Sequence, residues 1–308
     1  MLDVRRMRVL REVAARGSFS AAAEALNFTQ SAVSQQVAAL ERESGTKLVE
    51  REPRGIRLTE AGEALVAHAD AIIARLDDAE QELAAIAGLR GGRLRLASFQ
   101  SAGATLVPRA LGEFHSRYPN VELSVATAEN EDAHDALRAG EIDIAIVMDF
   151  EWLPLLAPDI ELTQLLVDPY RLILPGDHRL AAKRSVALAE LASEPWIVPM
   201  TGFGCREGII GSCRAAGFEA RIAIESDENE QTQAFVAAGL GVALWPQLAL
   251  AAVHPGVVVK PLSKTRLERR VYSATLRDSY CSAAAEAMIA TLCEVAREFA
   301  PTGRLRAA

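Results

Sequence analysis

Gly17-Ser18-Phe19-Ser20-Ala21-Ala22-Ala23-Glu24-Ala25-Leu26-Asn27-Phe28-Thr29-Gln30-Ser31-Ala32-Val33-Ser34-Gln35-Gln36 is the stretch whose reading decides the fold. Before it, Met7, Leu10, Val13 and Ala14 recur at helical spacing, which predicts an amphipathic helix over 3–16 that Gly17 stops. Ser20 stands where an N-cap belongs, ahead of an alanine-rich helix whose small side chains let another helix approach closely. Asn27-Phe28 makes a turn, and Thr29 caps a third helix running to about Glu43. On that helix Val33, Val37 and Leu40 share one face and point to a small core. Gln30, Ser31, Ser34 and Gln35 point outward near its N-terminus. Glutamine makes paired hydrogen bonds to adenine and serine donates or accepts, so this face suits base edges in a major groove.

Downstream, Leu48-Val49-Glu50-Arg51-Glu52-Pro53-Arg54-Gly55-Ile56-Arg57-Leu58 reads as two short strands around a Pro-Arg-Gly turn. The hairpin forms a wing in which Arg51, Arg54 and Arg57 are candidate phosphate contacts, with Arg5, Arg6 and Arg8 adding contacts from the first helix. The quoted stretch, with Leu40-Glu41, Leu48, Arg51 and Arg57-Leu58-Thr59-Glu60-Ala61-Gly62, resembles the winged helix-turn-helix of LysR-type transcriptional regulators. Val49 departs from the family, which usually places phenylalanine there. The resemblance implies double-stranded DNA as a partner and control by a small-molecule effector of unknown identity, without another cofactor. It also implies a homodimer, with assembly to a homotetramer, and makes RNA polymerase a further candidate partner.

Thr59 caps a predicted helix that continues to about Ala87 and is ended by Gly88 and the Gly91-Gly92 pair. Leu65, Ala69, Ile72, Leu76, Ala79, Leu83 and Ile86 recur in steps of four and three along it, a heptad seam. At about 1.5 Å per residue such a helix is roughly 42 Å long, too long for the core of a small domain. The seam over 60–87 is therefore expected to pair two chains, and the LysR resemblance implies that it pairs antiparallel.

From Arg93 the pattern changes to alternating strands and helices, which calls for mainly parallel sheets with helices on both faces. The expected fold class is α/β: an N-terminal winged helix-turn-helix, a long linker helix, and a two-lobed effector domain that resembles periplasmic solute-binding proteins. The expected divisions are 1–58, 59–91 and 92–308. Lobe I takes about 92–165 and 268–301, lobe II about 166–267, and the chain crosses between them near 165–169 and 263–269. Ligands in such folds bind outside the carboxyl ends of the parallel strands. That rule selects Ser98, Gln100, Ser101, Glu129 and Asp149 in one lobe and Thr201, Phe203 and Asp227 in the other. Glu129, Asp149, Asp227 and Glu228 make the mouth acidic, so the expected ligand carries an amino group or is neutral and polar.

Charge divides along the 308 residues in the same way. Residues 1–58 carry +3 and the remainder −11, within a net −8, as suits a nucleic-acid-binding head on an acidic body. Half the residues are hydrophobic, a globular composition, with no run long enough to span a bilayer and no secretory signal in the arginine-rich start. The expected location is the cytoplasm. GxSxG, HExxH, P-loop and GxGxxG patterns in their required contexts are all missing, so no catalysis is expected, and no metal site either. Cys205, Cys213, Cys281 and Cys293 read as free thiols of a reducing compartment. The alternative is a thiol redox sensor using Cys205 and Cys213, because a peroxide-sensing branch of the family carries two cysteines in this region. There Cys205, near a helix N-terminus, is expected to have a lowered pKa.

Overall fold

The computed structural model describes residues 1–52, 55–86, 92–155, 157–201, 204–277 and 279–299. Its first unit is built from α1 (Val4–Arg16), α2 (Phe19–Leu26), α3 (Gln30–Ser44), β1 (Val49–Glu52) and β2 (Gly55–Leu58). A side-chain oxygen caps each helix: Asp3 accepts from Arg5 N, Ser18 from Ala21 N, and Thr29 from Ala32 N. Ser18 thus takes the cap expected at Ser20. The helix begins two residues earlier, and Phe19, in its first turn, is buried in the core with Leu10, Val33 and Leu40.

The two strands pair antiparallel from Val49↔Leu58 to Glu52↔Gly55. Ile56 N donates to Gly17 O at 3.0 Å, and a Cβ on Gly55 would lie 2.7 Å from the same carbonyl, so the wing sits close on the turn between α1 and α2. Glu41 ties the hairpin to α3 by accepting from Leu48 N at 3.0 Å and Lys47 Nζ at 2.9 Å. Burial pushes its carboxyl pKa up, but those donors outweigh it and hold the group below its ordinary value.

Thr59 caps α4 (Glu60–Ile86), accepting from Gly62 N at 3.1 Å. The heptad seam expected on this helix divides in two. Leu65 and Ala69, joined by Ile73, are buried against the chain's own α1, whereas Ile72, Leu76 and Leu83 are 39, 42 and 66% exposed. At about 3.6 residues per turn Ile72 and Ile73 point roughly 100° apart, so the row buried against α1 runs on through Ile73 and the seam residue beside it is left facing outward. The predicted end at Ala87 lies outside the described residues. Further along, Ala74 packs directly on Gly140, where a Cβ would overlap its methyl group.

The body begins with β3 (Gly92–Ser98), α5 (Gln100–Gly103), α6 (Leu106–Arg117), β4 (Val121–Thr127), α7 (Asn130–Arg138) and β5 (Ile144–Asp149), with β3 parallel to both β4 and β5. Next come β6 (Ile160–Pro175), β7 (Val186–Ala187), β8 (Pro195–Val198), α8 (Gly204–Ala215), β9 (Arg221–Glu225), α9 (Asn229–Ala237) and β10 (Val242–Pro246). The chain closes through β11 (Val257–Ser263), β12 (Glu268–Leu276) and α10 (Ala283–Ala296). Strand order is β4-β3-β5-β12-β6 in the first lobe and β6-β10-β8-β9 in the second, with β11 on the other side of β6. β6 therefore belongs to both lobes. The crossing expected near 165–169 is the middle of one 16-residue strand, and the return is the start of β12. Asp168-Pro169 does not break the strand, because both residues stay in register with Glu268 and Arg269.

Each lobe has its own core, around Phe99, Phe114, Ile146 and Leu292 in the first and Leu172, Trp196, Val198 and Leu244 in the second. None of the described helices is long and apolar enough to cross a membrane.

Gly140 is at φ +67 and against Ala74, so Gly140→Ala adds backbone strain to a steric overlap. The expected loss is about 1–3 kcal/mol in denaturant unfolding, with faster hydrogen exchange in the middle of α4. Unchanged exchange there would mean that the linker helix does not rest on this glycine.

Candidate functional site

A cavity of about 380 Å³ opens between the lobes. Its walls are the carboxyl ends of the parallel strands: Phe99, Gln100 and Ser101 after β3, Glu129 after β4, Met148 on β5, Pro199 after β8, and Asp227 and Glu228 after β9. Tyr170, Cys205, Leu244, Trp245, Leu248 and Arg269 also line it, and Glu230 joins the acids at its rim. One side is thus apolar and aromatic, and the rim is acidic.

Arg269 is the residue that composition and periodicity did not single out. It is 4% exposed and lies directly across from Asp168, which is 2% exposed, on the two strands that join the lobes. Its Nε is 3.0 Å and its Nη2 2.9 Å from Asp168 Oδ2, while Asp168 Oδ1 accepts from Leu248 N at 3.1 Å. Nη2 also donates to Ser101 Oγ at 2.6 Å, and the guanidinium lies over the Phe99 ring at 4.7 Å. Burial drives the Asp168 carboxyl pKa up, against the pull of Arg269. The buried cation already has its counter-ion, so the cavity floor offers little net positive charge.

At the rim the acids behave differently. Asp227 accepts from Met200 N at 2.8 Å, and Glu228 accepts from Gln100 Nε2 at 2.9 Å across the cleft. Glu129 has no hydrogen-bond donor among the described residues. Burial raises its pKa above the ordinary value, with Arg269 opposing and Asp132 and Asp227 adding to the rise.

Of the expected cleft residues, Gln100, Ser101, Glu129 and Asp227 come together in the cavity wall. Three others do not. Asp149 turns away and takes Arg270 Nε and Nη2 at 2.7 and 2.8 Å, because the two residues are cross-strand partners on β5 and β12. Ser98 is 1% exposed beneath Gly103, and Thr201 is exposed outside the lining. Phe203 lies outside the described residues.

On the head, Gln30, Ser31 and Gln35 are exposed and Ser34 half-buried on the outer face of α3. Gln36, next in sequence but turned toward α1, accepts from Arg6 Nε at 3.3 Å. Arg57 is exposed but ion-paired with Glu50, and Arg6 with Glu43, so each is shared with an acid. Arg54 and the Arg51 side chain lie outside the described residues.

The expected lowering of the Cys205 pKa is reversed. Burial pushes the Cys205 thiol up to about 11 and Cys213 up to about 12. Position at the first turn of α8 does not compensate for the lost hydration, and Arg269 nearby is spent on Asp168. Both thiols are free, on one continuous helix.

Residues 4–63 match the family described as bacterial regulatory helix-turn-helix protein, lysR family, and residues 87–297 match the LysR substrate binding domain. The probable HTH-type transcriptional regulator LrrA of Synechococcus elongatus is 31% identical over 98% of this chain and 100% of its own. A full-length OxyR variant of Pseudomonas aeruginosa superposes with a TM-score of 0.77 at 26% identity, covering 96% of this chain and 97% of that one. Full-length CbnR bound to its target DNA shares the fold, with a TM-score of 0.69 at 23% identity over 96% and 99% of the two chains.

Truncating one partner of a buried ion pair strands the other charge. Arg269→Met is therefore expected to cost about 3–5 kcal/mol in denaturant unfolding, and Arg270→Met, whose pair is buried on the Asp149 side alone, less, about 1–3 kcal/mol. A raised carboxyl pKa in the folded state means that the charged form opposes folding, so stability gained on protonation is fully present only at low pH. Glu129→Gln is expected to raise the melting temperature at pH 7, and the gain should fade as the pH falls toward the ordinary glutamate value of 4.5. A gain that persists unchanged at pH 4 would contradict this account.

Proposed function

The chain belongs to the LysR family of transcriptional regulators, and from that premise we propose how its own residues divide the work of binding DNA and sensing a ligand. As in that family, it is a DNA-binding regulator with an effector-binding domain, and its working state is a switch rather than a catalyst. Gln30, Ser31, Ser34 and Gln35 read base edges from the N-terminal half of α3. The wing arginines and the first helix hold phosphate, which sets affinity and salt dependence. The exposed apolar residues Ile72, Leu76 and Leu83 support pairing of two linker helices. Two such dimers make the tetramer, and RNA polymerase is a candidate partner of the DNA-bound assembly. A cytoplasmic location follows from that role.

The effector occupies the inter-lobe cavity, and the observation that carries this reading is its position at the carboxyl ends of both sets of parallel strands. The ligand carries an amino group or is neutral and polar. Glu129 is without a donor among the described residues, Asp227, Glu228 and Glu230 share the rim, and Asp168 already neutralises Arg269. Occupancy shifts the balance between two lobe arrangements, and so the spacing of paired heads, only to the extent that the ligand prefers one of them.

Thiol sensing by Cys205 and Cys213 is the second reading, favoured by Cys205 in the cavity wall and by the likeness to OxyR. Their raised pKa values argue against it, as does a separation of about 12 Å for eight residues on one helix. Mass spectrometry after mild peroxide is expected to show no bond between them.

A thermal-shift screen of the full chain tests the sensor: amines, amino acids and neutral polar compounds are expected to raise the melting temperature saturably. A simple dicarboxylate bound more tightly than about 1 μM, some −8.2 kcal/mol, would overturn the ligand class but not the site. For the head, Gln30→Ala is expected to weaken binding to a sequence selected from random DNA by about 1–3 kcal/mol at the preferred base. Arg5→Ala, in contrast, should weaken all sequences alike and flatten the salt dependence. Leu76→Glu, at an exposed position, is expected to reduce the mass seen by light scattering without unfolding the chain.

A further inference from the structure

Beyond β5 the chain makes a tight turn in which Phe150 and Leu153 exchange backbone hydrogen bonds at 3.2 and 3.1 Å. The turn leaves the first lobe, yet its side chains are seated on the second. Phe150 is 4% exposed and belongs to the core of Tyr170, Leu172, Trp196 and Leu244. The Trp152 ring stacks on Phe150 with centroids 4.9 Å apart and an interplanar angle of 23°. Trp152 Nε1 donates to Gly204 O at 3.0 Å, the first residue of α8.

Glycine makes that seat. Gly204 and Gly208 lie one turn apart on α8, and at both positions a side chain would be in the way. A Cβ on Gly208 would overlap the Trp152 ring, and one on Gly204 would lie 2.6 Å from Leu153 Cδ2. Neither glycine has a positive φ, so backbone conformation does not require them; the close approach of the indole does. Between them on the sequence is Cys205, about 100° around the helix from Gly204, which lines the ligand cavity. The same turn of helix that receives Trp152 thus forms part of the cavity wall. From the second lobe's side, Arg206 secures it by donating to Pro199 O at 2.5 Å and pairing with Glu225 at 2.7 Å.

We propose that the Phe150–Leu153 turn is a clasp between the lobes, in which Trp152 seated on Gly204 and Gly208 holds the first turn of α8 in place and keeps the cleft closed. Trp152 is a positioning residue: it does not line the cavity, and acts on it through α8. It adds to the Arg269–Asp168 strand pair and to the Gln100–Glu228 hydrogen bond across the cleft, which also join the lobes. A tie of this kind, made of one ring on a smooth helix face and still 40% exposed, is one that can open while the lobe cores stay folded. The proposal does not depend on which ligand the cavity takes.

Cys205 reports closure and Cys213, 0% exposed eight residues further on the same helix, reports unfolding of the second lobe. The experiment measures N-ethylmaleimide labelling of the native full-length chain, with the modified cysteine identified by mass spectrometry. Trp152→Ala is expected to speed Cys205 labelling about tenfold or more while Cys213 labelling stays unchanged; a tenfold change is about 1.4 kcal/mol of opening. Gly208→Ala should do the same by displacing the ring. In the double variant Gly208→Ala should add nothing to Trp152→Ala, because the contact is already lost. If Trp152→Ala does not fold, Trp152→Phe, which keeps a ring but loses the donor to Gly204, is read by the same ratio. Cys205 labelling at the wild-type rate overturns the proposal. So does a rise shared equally by Cys213, which would make Trp152 a residue of lobe stability alone.

Discussion

Arg269 and Asp168 meet on the two strands that pass between the lobes, both almost wholly out of water. Neither charge could be buried there without the other, since an isolated ion in such surroundings costs several kcal/mol. Their pairing fixes the register of β6 against β12 at the point where the two sheets diverge. From the same guanidinium a donor reaches Ser101 in the first lobe, and through Asp168 the pair reaches Leu248 N in the second. One ion pair therefore aligns the crossings and tethers a residue from each lobe, and its arginine lines the cavity between them.

This arrangement also decides what the cavity can attract. A buried arginine in a ligand cleft suggests an anion until its counter-ion is located beside it. With Asp168 in place, the uncompensated charge lies at the rim, where Glu129 has a raised pKa through burial and acidic neighbours. The same neutralisation bears on Cys205. Arg269 is close enough to pull its pKa down, yet burial wins and the thiol stays near 11. The cavity thus holds a protonated thiol beside an arginine that is not free to stabilise a thiolate.

At the other end of the chain the constraint is apolar. α4 is shared between two tasks: its Leu65, Ala69 and Ile73 complete the core of the DNA-binding head, and its Ile72, Leu76 and Leu83 are left for another surface. A helix that is continuous through both rows transmits orientation, because rotating it to satisfy one row moves the other. Contact of Ala74 with Gly140 adds the chain's own body to that coupling.

The local sequence determined the elements and their order. Capping residues at Thr29 and Thr59, the apolar row Val33, Val37 and Leu40, and the alternation of strands and helices after Arg93 each depend on neighbours a few residues away, and such signals survive in a linear reading. The rule that ligands bind beyond the carboxyl ends of parallel strands found Gln100, Ser101, Glu129 and Asp227 because it needs only the strand ends. It misplaced Asp149 and Ser98 because which way a strand-end side chain turns is set by its cross-strand partner, here Arg270 for Asp149. Arg269 and Tyr170 escaped for the same reason: they lie inside or beside crossings whose partners are about a hundred residues away, as the Arg269–Asp168 separation shows. The seat of Trp152 on Gly204 and Gly208 has no local signature at all, since two glycines one turn apart read as weak helix until an indole is placed on them. Sequence settled what is decided within a helical turn or a strand, and tertiary structure alone decided which buried charges and rings meet, because burial and pairing depend on residues far apart in the chain.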